Sequence, residues 1–192
     1  MSEAGTQQVA NDGAPAVVGR SFSERFVGAM RLDGSVYEEV ANDSSALAQA
    51  AGVVGIVAAA RAIGVVSSTT SGEAVLGALS VLSFWPLAAF LIWSVGMLLN
   101  NAGEFGRVLR VVGFAMAPLI LVALSLVPNE WFRAGVALVS VALLFGALVV
   151  GVRQALRIDS GRAAFVCIVV AMLFFFFYSM VIYVVLRVGG AS

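Results

Sequence analysis

Five apolar segments follow one another along most of this chain, and each is long enough to cross a lipid bilayer. A membrane-spanning helix needs about 20 predominantly apolar residues. Hydrophobic residues make up 61% of the chain and charged residues only 11%, against about 45–50% and about 25% in soluble domains. So little polar surface cannot cover a globule in water. The sequence therefore predicts an integral membrane protein with spans at residues 45–66, 73–99, 105–127, 131–152 and 162–186.

The breaks between these segments are short and contain turn-forming or helix-capping residues. Short connections make consecutive helices antiparallel neighbours. The predicted fold class is all-α: a polytopic membrane protein with five transmembrane helices in an up-and-down bundle at residues 44–188, followed by a short tail at 189–192. Pro86 and Pro118 fall inside the second and third spans, and we expect each to bend its helix.

The only long polar stretch lies before the first span. Residues 1–20 are polar and show no periodicity, which predicts a disordered tail. In residues 21–43, Phe22 and Phe26 lie at helical spacing, with charged residues elsewhere around the helix. This pattern predicts a short amphipathic helix lying in the membrane interface. Phe22 and Phe26 are therefore candidates for contact with lipid or with a protein partner.

The arginines indicate which way the spans run. If the chain has five spans, eight arginines lie on the side of the N-terminus and three on the opposite side. Loops on the cytoplasmic side of a membrane carry an excess of basic residues. We therefore predict a multi-pass protein of the cytoplasmic membrane, with its N-terminus in the cytoplasm and its C-terminus outside.

Several arginines on the predicted cytoplasmic side border the second and fourth loops. Glu104 and Arg107, like Asp159 and Arg162, are three residues apart, a spacing that allows ion pairs on a helical turn. The planar guanidinium group also suits phosphate, so anionic lipid headgroups are possible ligands. The simpler interpretation, which we favour, is that these charges are solvated and fix the topology. The candidate lipid or partner contacts are Arg107, Arg110, Arg153, Arg157 and Arg162.

Arg61 stands apart because it lies about five residues before the end of the first span, among alanines. A charge inside a span is by default a candidate functional residue. An arginine close to a helix end can instead extend its side chain to the headgroups, and we favour this role as an anchor. The alternative is a structural ion pair with Glu73 or Glu130, the acidic residues on the same predicted side.

The composition excludes several kinds of chemistry. The chain has no His and a single Cys, Cys167, so it offers no His general base, no His metal ligand and no thiolate zinc site. We predict no catalytic residue, no metal, no cofactor and no nucleic-acid partner. No acidic residue or lysine lies in the middle of a span to couple ions or protons, which weakens the hypothesis that the protein is a transporter.

The charged stretches, as well as the apolar ones, resemble a known family. The first is Phe-Val-Gly-Ala-Met-Arg-Leu-Asp at residues 26–33, followed by Tyr-Glu-Glu-Val at 37–40. Further stretches follow in similar order and spacing at 104–115, 150–156 and 159–163. Together they resemble the bacterial branch of the Yip family, from about Phe22 to the end of the fifth span.

That resemblance implies a five-span membrane protein with a cytoplasmic N-terminus. Eukaryotic members of the family bind Rab-type GTPases and act in membrane traffic and membrane shaping. This chain lacks the Asp-Leu-Tyr-Gly-Pro tract of those members, so GTPase binding does not carry over. For bacterial relatives the resemblance implies a fold and a topology rather than an activity.

The function that these observations favour is that of a non-enzymatic membrane protein that organises the membrane or recruits a partner. The alternative is a small transporter or channel, or an accessory subunit of a larger membrane complex. Small residues four apart in the first span, such as Ala51, Gly55 and Ala59, let helix backbones approach closely. Internal packing is the simpler explanation of that pattern, and a homo-oligomer stays open.

Overall fold

In the computed structural model the described residues are 19–65, 71–100, 103–127 and 129–189, and these are helical without any strand. Five stretches are long and apolar enough to cross a membrane, which confirms the predicted all-α, five-span fold. The predicted tails lie outside the described residues at 1–18 and 190–192. The helices are α1 (Phe22–Met30), α2 (Gly34–Asn42), α3 (Ala46–Val65), α4 (Ser71–Leu98), α5 (Phe105–Ala115), a 3-10 segment (Ala117–Leu126), α6 (Glu130–Leu156) and α7 (Ser160–Gly189).

The third span lies at the centre of the bundle. It consists of α5 and the 3-10 segment, which together pack against α3, α4 and α6. More than half of this span is buried inside the protein, against 39% or less of every other span. At Gly113 an added Cβ would lie only 2.8 Å from the Cβ of Ala50, so the absence of a side chain there lets α5 approach α3 closely.

Helix type changes within the third span next to Pro118. Proline has no amide hydrogen, so the Phe114 carbonyl loses its α-helical donor. The chain continues with the tighter i to i+3 pattern of a 3-10 helix, as in the 2.9 Å bond from Leu119 N to the Met116 carbonyl oxygen. Around Pro86, by contrast, α4 is uninterrupted.

Two short helices, rather than one, precede the first span. Ser21 opens α1 with a capping box in which its side chain and that of Glu24 accept each other's backbone amides. α1 ends where Asp33 N bonds to the Gly28 carbonyl, with Leu32 at a left-handed φ of 61°. Asp33 then caps α2 by accepting from Ser35 N. We call α1, the turn and α2 the helical hairpin (residues 22–42).

The helical hairpin packs against the side of the bundle. Its Leu32 lies against Gly146 of α6, ten residues before the end of that helix at Leu156, or about 15 Å along its axis. At the other end of α1, the Phe22 ring lies beside Gly52 of α3. α1 is therefore level with apolar segments of α3 and α6. Phe22 and Phe26, predicted to face lipid, are half-buried and pack against the core.

Candidate functional site: a helical hairpin held by two buried arginines

Arg25 fastens the helical hairpin to the start of the first span. It is only 4% exposed although it lies on α1, and it donates to three side chains. Nε and Nη2 donate to Oε1 of Glu39 at 3.0 and 2.8 Å, Nη2 also donates to Oδ2 of Asp43 at 2.7 Å, and Nη1 donates to Oε1 of Gln49 at 3.0 Å. The group therefore ties α1 to α2, to the α2–α3 linker and to α3. We call these four residues the Arg25 cluster.

The Arg25 cluster is electrostatically matched. Burial alone would lower the pKa of the Arg25 guanidinium, but hydrogen bonds and attraction from Glu39 and Asp43 outweigh it, and the pKa rises. Partial burial would raise the pKa of Glu39, yet bonds from Arg25 and from the Arg20 backbone hold it below its usual 4.5. Donors from Ser45 and Arg25 hold the pKa of Asp43 below its usual 3.8. All three groups therefore stay charged at neutral pH.

Tyr37 closes the interior of the helical hairpin. Its side chain is fully buried, and its hydroxyl donates to the Ala29 carbonyl at 3.0 Å, so α1 and α2 are joined by a buried hydrogen bond. Burial raises the pKa of the Tyr37 hydroxyl far above its usual 10. The ring also packs on Gly151 of α6, where an added Cβ would lie 3.2 Å from its Cδ1.

Arg110 lies in the protein interior rather than at the exposed cytoplasmic rim where the sequence placed it. The residue is 5% exposed. Its Nε and Nη2 donate to the carbonyls of Val40 and Ala41 at 3.2 and 2.8 Å. These are among the last carbonyls of α2, which lack partners within the helix. Arg110 thus cannot serve as a surface lipid contact, because its donors close the end of α2.

Arg107 lies one turn earlier in α5 and also contacts the end of α2. Its Nη2 donates to Oδ1 of Asn42 at 3.0 Å, and within the described residues it forms no ion pair with Glu104, the partner that its spacing suggested. Its Nε is buried without a hydrogen-bond partner. The charges of Arg157 and Arg110 repel that of Arg107, and Glu104 offsets only part of this. This corner of the bundle therefore carries unbalanced positive charge.

The remaining arginines of the same end are exposed. Arg162 Nε lies 3.3 Å from Oδ2 of Asp159, and both side chains are 64% exposed, so this ion pair has little energetic weight. Arg153 and Arg157 are also exposed, and within the described chain neither forms an ion pair. Arg157 ends α6 with a left-handed φ of 54°. These three residues remain available at the surface, unlike Arg110.

Arg61 lies at the other end of the bundle, and its side chain is exposed beside Gly77 of α4. Among the described residues it makes no ion pair, and Glu130 does not contact it. The Glu73 side chain is outside the described residues, so that alternative stays a prediction.

The functional importance of Arg25, Glu39 and Gln49 was missed at the level of sequence. Arg25 was assigned to the polar side of α1, although it is three residues after Phe22 and four before Ala29, which places it on their face of the helix. Glu39 and Asp43 are four residues apart in the sequence. That spacing, facing a single arginine on the apolar side of an amphipathic helix, was the available signal.

The described residues contain no group of three or more His, Cys, Asp or Glu side chains that could hold a metal ion. Cys167 is buried within α7. What this arrangement does is mechanical: it fixes a charged helical hairpin against the side of an apolar bundle, near the beginning of α3.

The fold and the site define a five-span membrane protein with an arginine-anchored helical hairpin at the end where its N-terminal segment lies. The sequence profile described as the Yip1 domain matches residues 27–182, which covers most of the chain and includes α2 and all five spans. The chain therefore belongs to the Yip1 domain family, as its charged stretches indicated. No curated protein and no solved structure matches it.

Proposed function

We propose that this protein is a non-enzymatic membrane protein that recruits a partner to the bilayer or organises the bilayer itself, and that the helical hairpin is its working surface. The observation that carries the proposal is the Arg25 cluster. Ion pairs and hydrogen bonds hold α1 and α2 in one arrangement, so the outer face of the helical hairpin is a folded, preorganised surface. Preorganisation lowers the entropy that a partner must lose on binding.

The outer face of the helical hairpin has the character of a protein-contact or headgroup-contact surface. A shallow groove of about 440 Å³ runs along α1 and the turn, lined by charges of both signs, including Arg20, Glu24, Arg31 and Asp33. On α1, Val27 is 43% exposed between these charges. On α2, Glu38 faces outward as well. A mixed charged face around an apolar residue resembles the polar rim and apolar centre of protein interfaces.

The position of α1 supports a role at the bilayer surface. Because α1 is level with apolar parts of α3 and α6, we place it in the interface region of one leaflet, where amphipathic helices bind. The excess of arginines at this end favours a cytoplasmic N-terminus in the cell membrane. Arg107, Arg153, Arg157 and Arg162 then lie near anionic headgroups or a partner's acidic groups. An amphipathic helix in one leaflet alone also offers a means of shaping the membrane.

The proposal is tested by site-specific photo-crosslinking of the full chain in its native membrane. A benzophenone amino acid replaces Glu38 on the helical hairpin, Arg153 at the end of α6, or Trp131, which is 88% exposed at the opposite end. We expect one stoichiometric protein adduct from Glu38 and Arg153 and none from Trp131. The adduct at Arg153 should disappear in a Glu38→Arg background and persist in a Glu130→Arg background.

Equal adducts at all three positions, or no protein adduct at any, would argue against recruitment. In that case vesicles that contain the purified protein decide between the remaining roles. Electron microscopy of those vesicles should then reveal altered curvature if the protein organises the bilayer. Selective ion or solute flux into the vesicles would instead establish the transporter or channel alternative and refute the proposal.

A further inference from the structure

An apolar cavity of about 310 Å³ opens between the helices of the bundle, and its lining extends to Arg61 near the end of α3. Its wall includes Val57, Phe84, Met116, Leu119 and Leu144, from α3, α4, the third span and α6. The volume is at the lower end of the range for small-molecule sites, about 300–1,000 Å³. A neighbouring apolar cavity of about 230 Å³ shares Phe84 and Leu144 with it. Phe84 and Leu144 therefore lie between two adjacent apolar cavities, one lined by α3 and the other by α7.

One charged side chain belongs to this cavity, that of Arg61. Arg61 lies fifteen residues after the start of α3, or about 22 Å along the helix, which places it near the far side of a hydrocarbon layer about 30 Å thick. Its stem lies against Gly77 of α4, where an added Cβ would be 3.8 Å from Cγ. Its side chain is exposed, and among the described residues it has no hydrogen-bond or ion-pair partner.

Among the described residues that line the cavity, Ser80 is the only other polar one, and its hydroxyl donates to the Gly77 carbonyl at 2.7 Å. Among its described lining residues, the cavity thus combines an apolar interior with one positive charge and no negative charge. An amphiphile with an anionic head and an acyl chain is complementary to both features, because guanidinium binds phosphate through paired hydrogen bonds. A zwitterionic or neutral lipid would satisfy only the apolar part.

We propose that this cavity is a binding site for one anionic phospholipid of the leaflet opposite the helical hairpin, with the acyl chain in the cavity and the phosphate on Arg61. This site would give a role to the charge of Arg61, which does not take part in holding the helical hairpin. It is separate from the outer face of the helical hairpin, because the described residues that line the cavity belong to α3, α4, the third span and α6.

The test is native mass spectrometry of the full chain in mild detergent, titrated with phosphatidylglycerol or with phosphatidylcholine of the same acyl chains. We expect one tightly bound phosphatidylglycerol in preference to phosphatidylcholine. Arg61→Gln should weaken the tight phosphatidylglycerol site about tenfold or more, because it removes charge-assisted hydrogen bonds. Arg133→Gln, which removes another arginine from the same side, is the matched control and should bind like the wild type.

A second variant tests the apolar part of the site without touching the charge. Ser80→Phe places a ring in the cavity and should also weaken phosphatidylglycerol binding, whereas Val75→Phe, on the exposed surface of α4, should not. Glycerol phosphate, which has the headgroup but no chain, should not compete.

Unchanged binding in Arg61→Gln would overturn the proposal, and it is the result expected if a carboxylate such as that of Glu73 neutralises the guanidinium. Unchanged binding in Ser80→Phe, or effective competition by glycerol phosphate, would contradict the proposal that the acyl chain of the lipid binds in the cavity. If Arg61→Gln does not fold, Ser80→Phe and the competition experiment still decide whether the lipid binds in this cavity.

Discussion

Arg110 donates from Nη2 to the carbonyl oxygen of Ala41 at 2.8 Å, which joins the central span to the end of α2 across 69 residues of sequence. The same guanidinium reaches the Val40 carbonyl through Nε. With Arg25 fastening the other side of the helical hairpin, two buried arginines hold this element in place. The helical hairpin is therefore an integral part of the transmembrane domain rather than an appended segment.

Replacing Arg110 with methionine should destabilise the protein by about 2 kcal/mol or more. Methionine fills similar space but leaves the Val40 and Ala41 carbonyls buried without donors, at about 1–3 kcal/mol for each unsatisfied group. The free energy of unfolding is measured by SDS titration in mixed micelles, and hydrogen exchange should accelerate chiefly in α2. Arg153→Met, at an exposed site one helix away, should stay within about 0.5 kcal/mol of the wild type. Equal losses in the two variants would contradict the capping role of Arg110.

Arg25→Met should lower the free energy of unfolding by about 3 kcal/mol, because it leaves the partly buried carboxylates of Glu39 and Asp43 without their cation. Arg20 supplies a matched control, because it also pairs with Glu39, at 3.0 Å, but its side chain is 39% exposed. Arg20→Met should cost less than about 1 kcal/mol. Hydrogen exchange of α1 amides in the two variants is the readout. An α1 as protected in Arg25→Met as in the wild type would refute the fastening role.

Acid should loosen the helical hairpin. The carboxyls of Glu39 and Asp43 have pKa values below their usual 4.5 and 3.8 in the folded protein. Their stabilisation is therefore fully present above those usual values and is lost as the pH falls through the lower folded values. The pKa of Arg25, the cation that faces both carboxylates, is raised above its usual value, so Arg25 stays protonated throughout.

The pH effect is checked against Glu39→Gln, which lacks one of the titrating groups. We expect the wild type to exceed Glu39→Gln in stability by a constant amount between about pH 5 and 8, and the gap to shrink below about pH 4. Glu38→Gln, at the exposed neighbouring position, should track the wild type at every pH. A gap that is independent of pH would mean that Glu39 acts through its shape rather than its charge.

Gly151 should not tolerate even a methyl group. An added Cβ would lie 2.5 Å from Cγ1 of Val111, so Gly151→Ala must push α6 away from α5, at a cost of about 1–3 kcal/mol. At Gly55 nothing lies within 4 Å of the added Cβ, and Gly55→Ala should be neutral or stabilising by up to about 1 kcal/mol. Thermal unfolding in detergent compares the pair. If Gly55→Ala were instead strongly destabilising, or dissociated a dimer, its face of α3 would contact a second copy.

Much of the architecture followed from local sequence properties. The spans were predicted within a few residues at most ends, because membrane insertion depends on the summed hydropathy of a contiguous stretch. The sequence offered either Ser21 or Ser23 as the cap of α1, and the capping box at Ser21 involves only neighbouring residues. The left-handed φ of Leu32 in this turn was not predicted, and its side chain packs against Gly146 of α6, a contact that only the fold brings about.

By itself, then, the sequence determined that this chain crosses a membrane five times, where it does so, and which family it belongs to. Only the tertiary structure decided which arginines are buried and what they hold. Arg25 finds Glu39, Asp43 and Gln49 at separations of 14, 18 and 24 residues, and Arg110 finds its carbonyls 69 and 70 residues away. Hydropathy adds up along the chain, but the environment of one charge depends on which distant groups folding brings beside it.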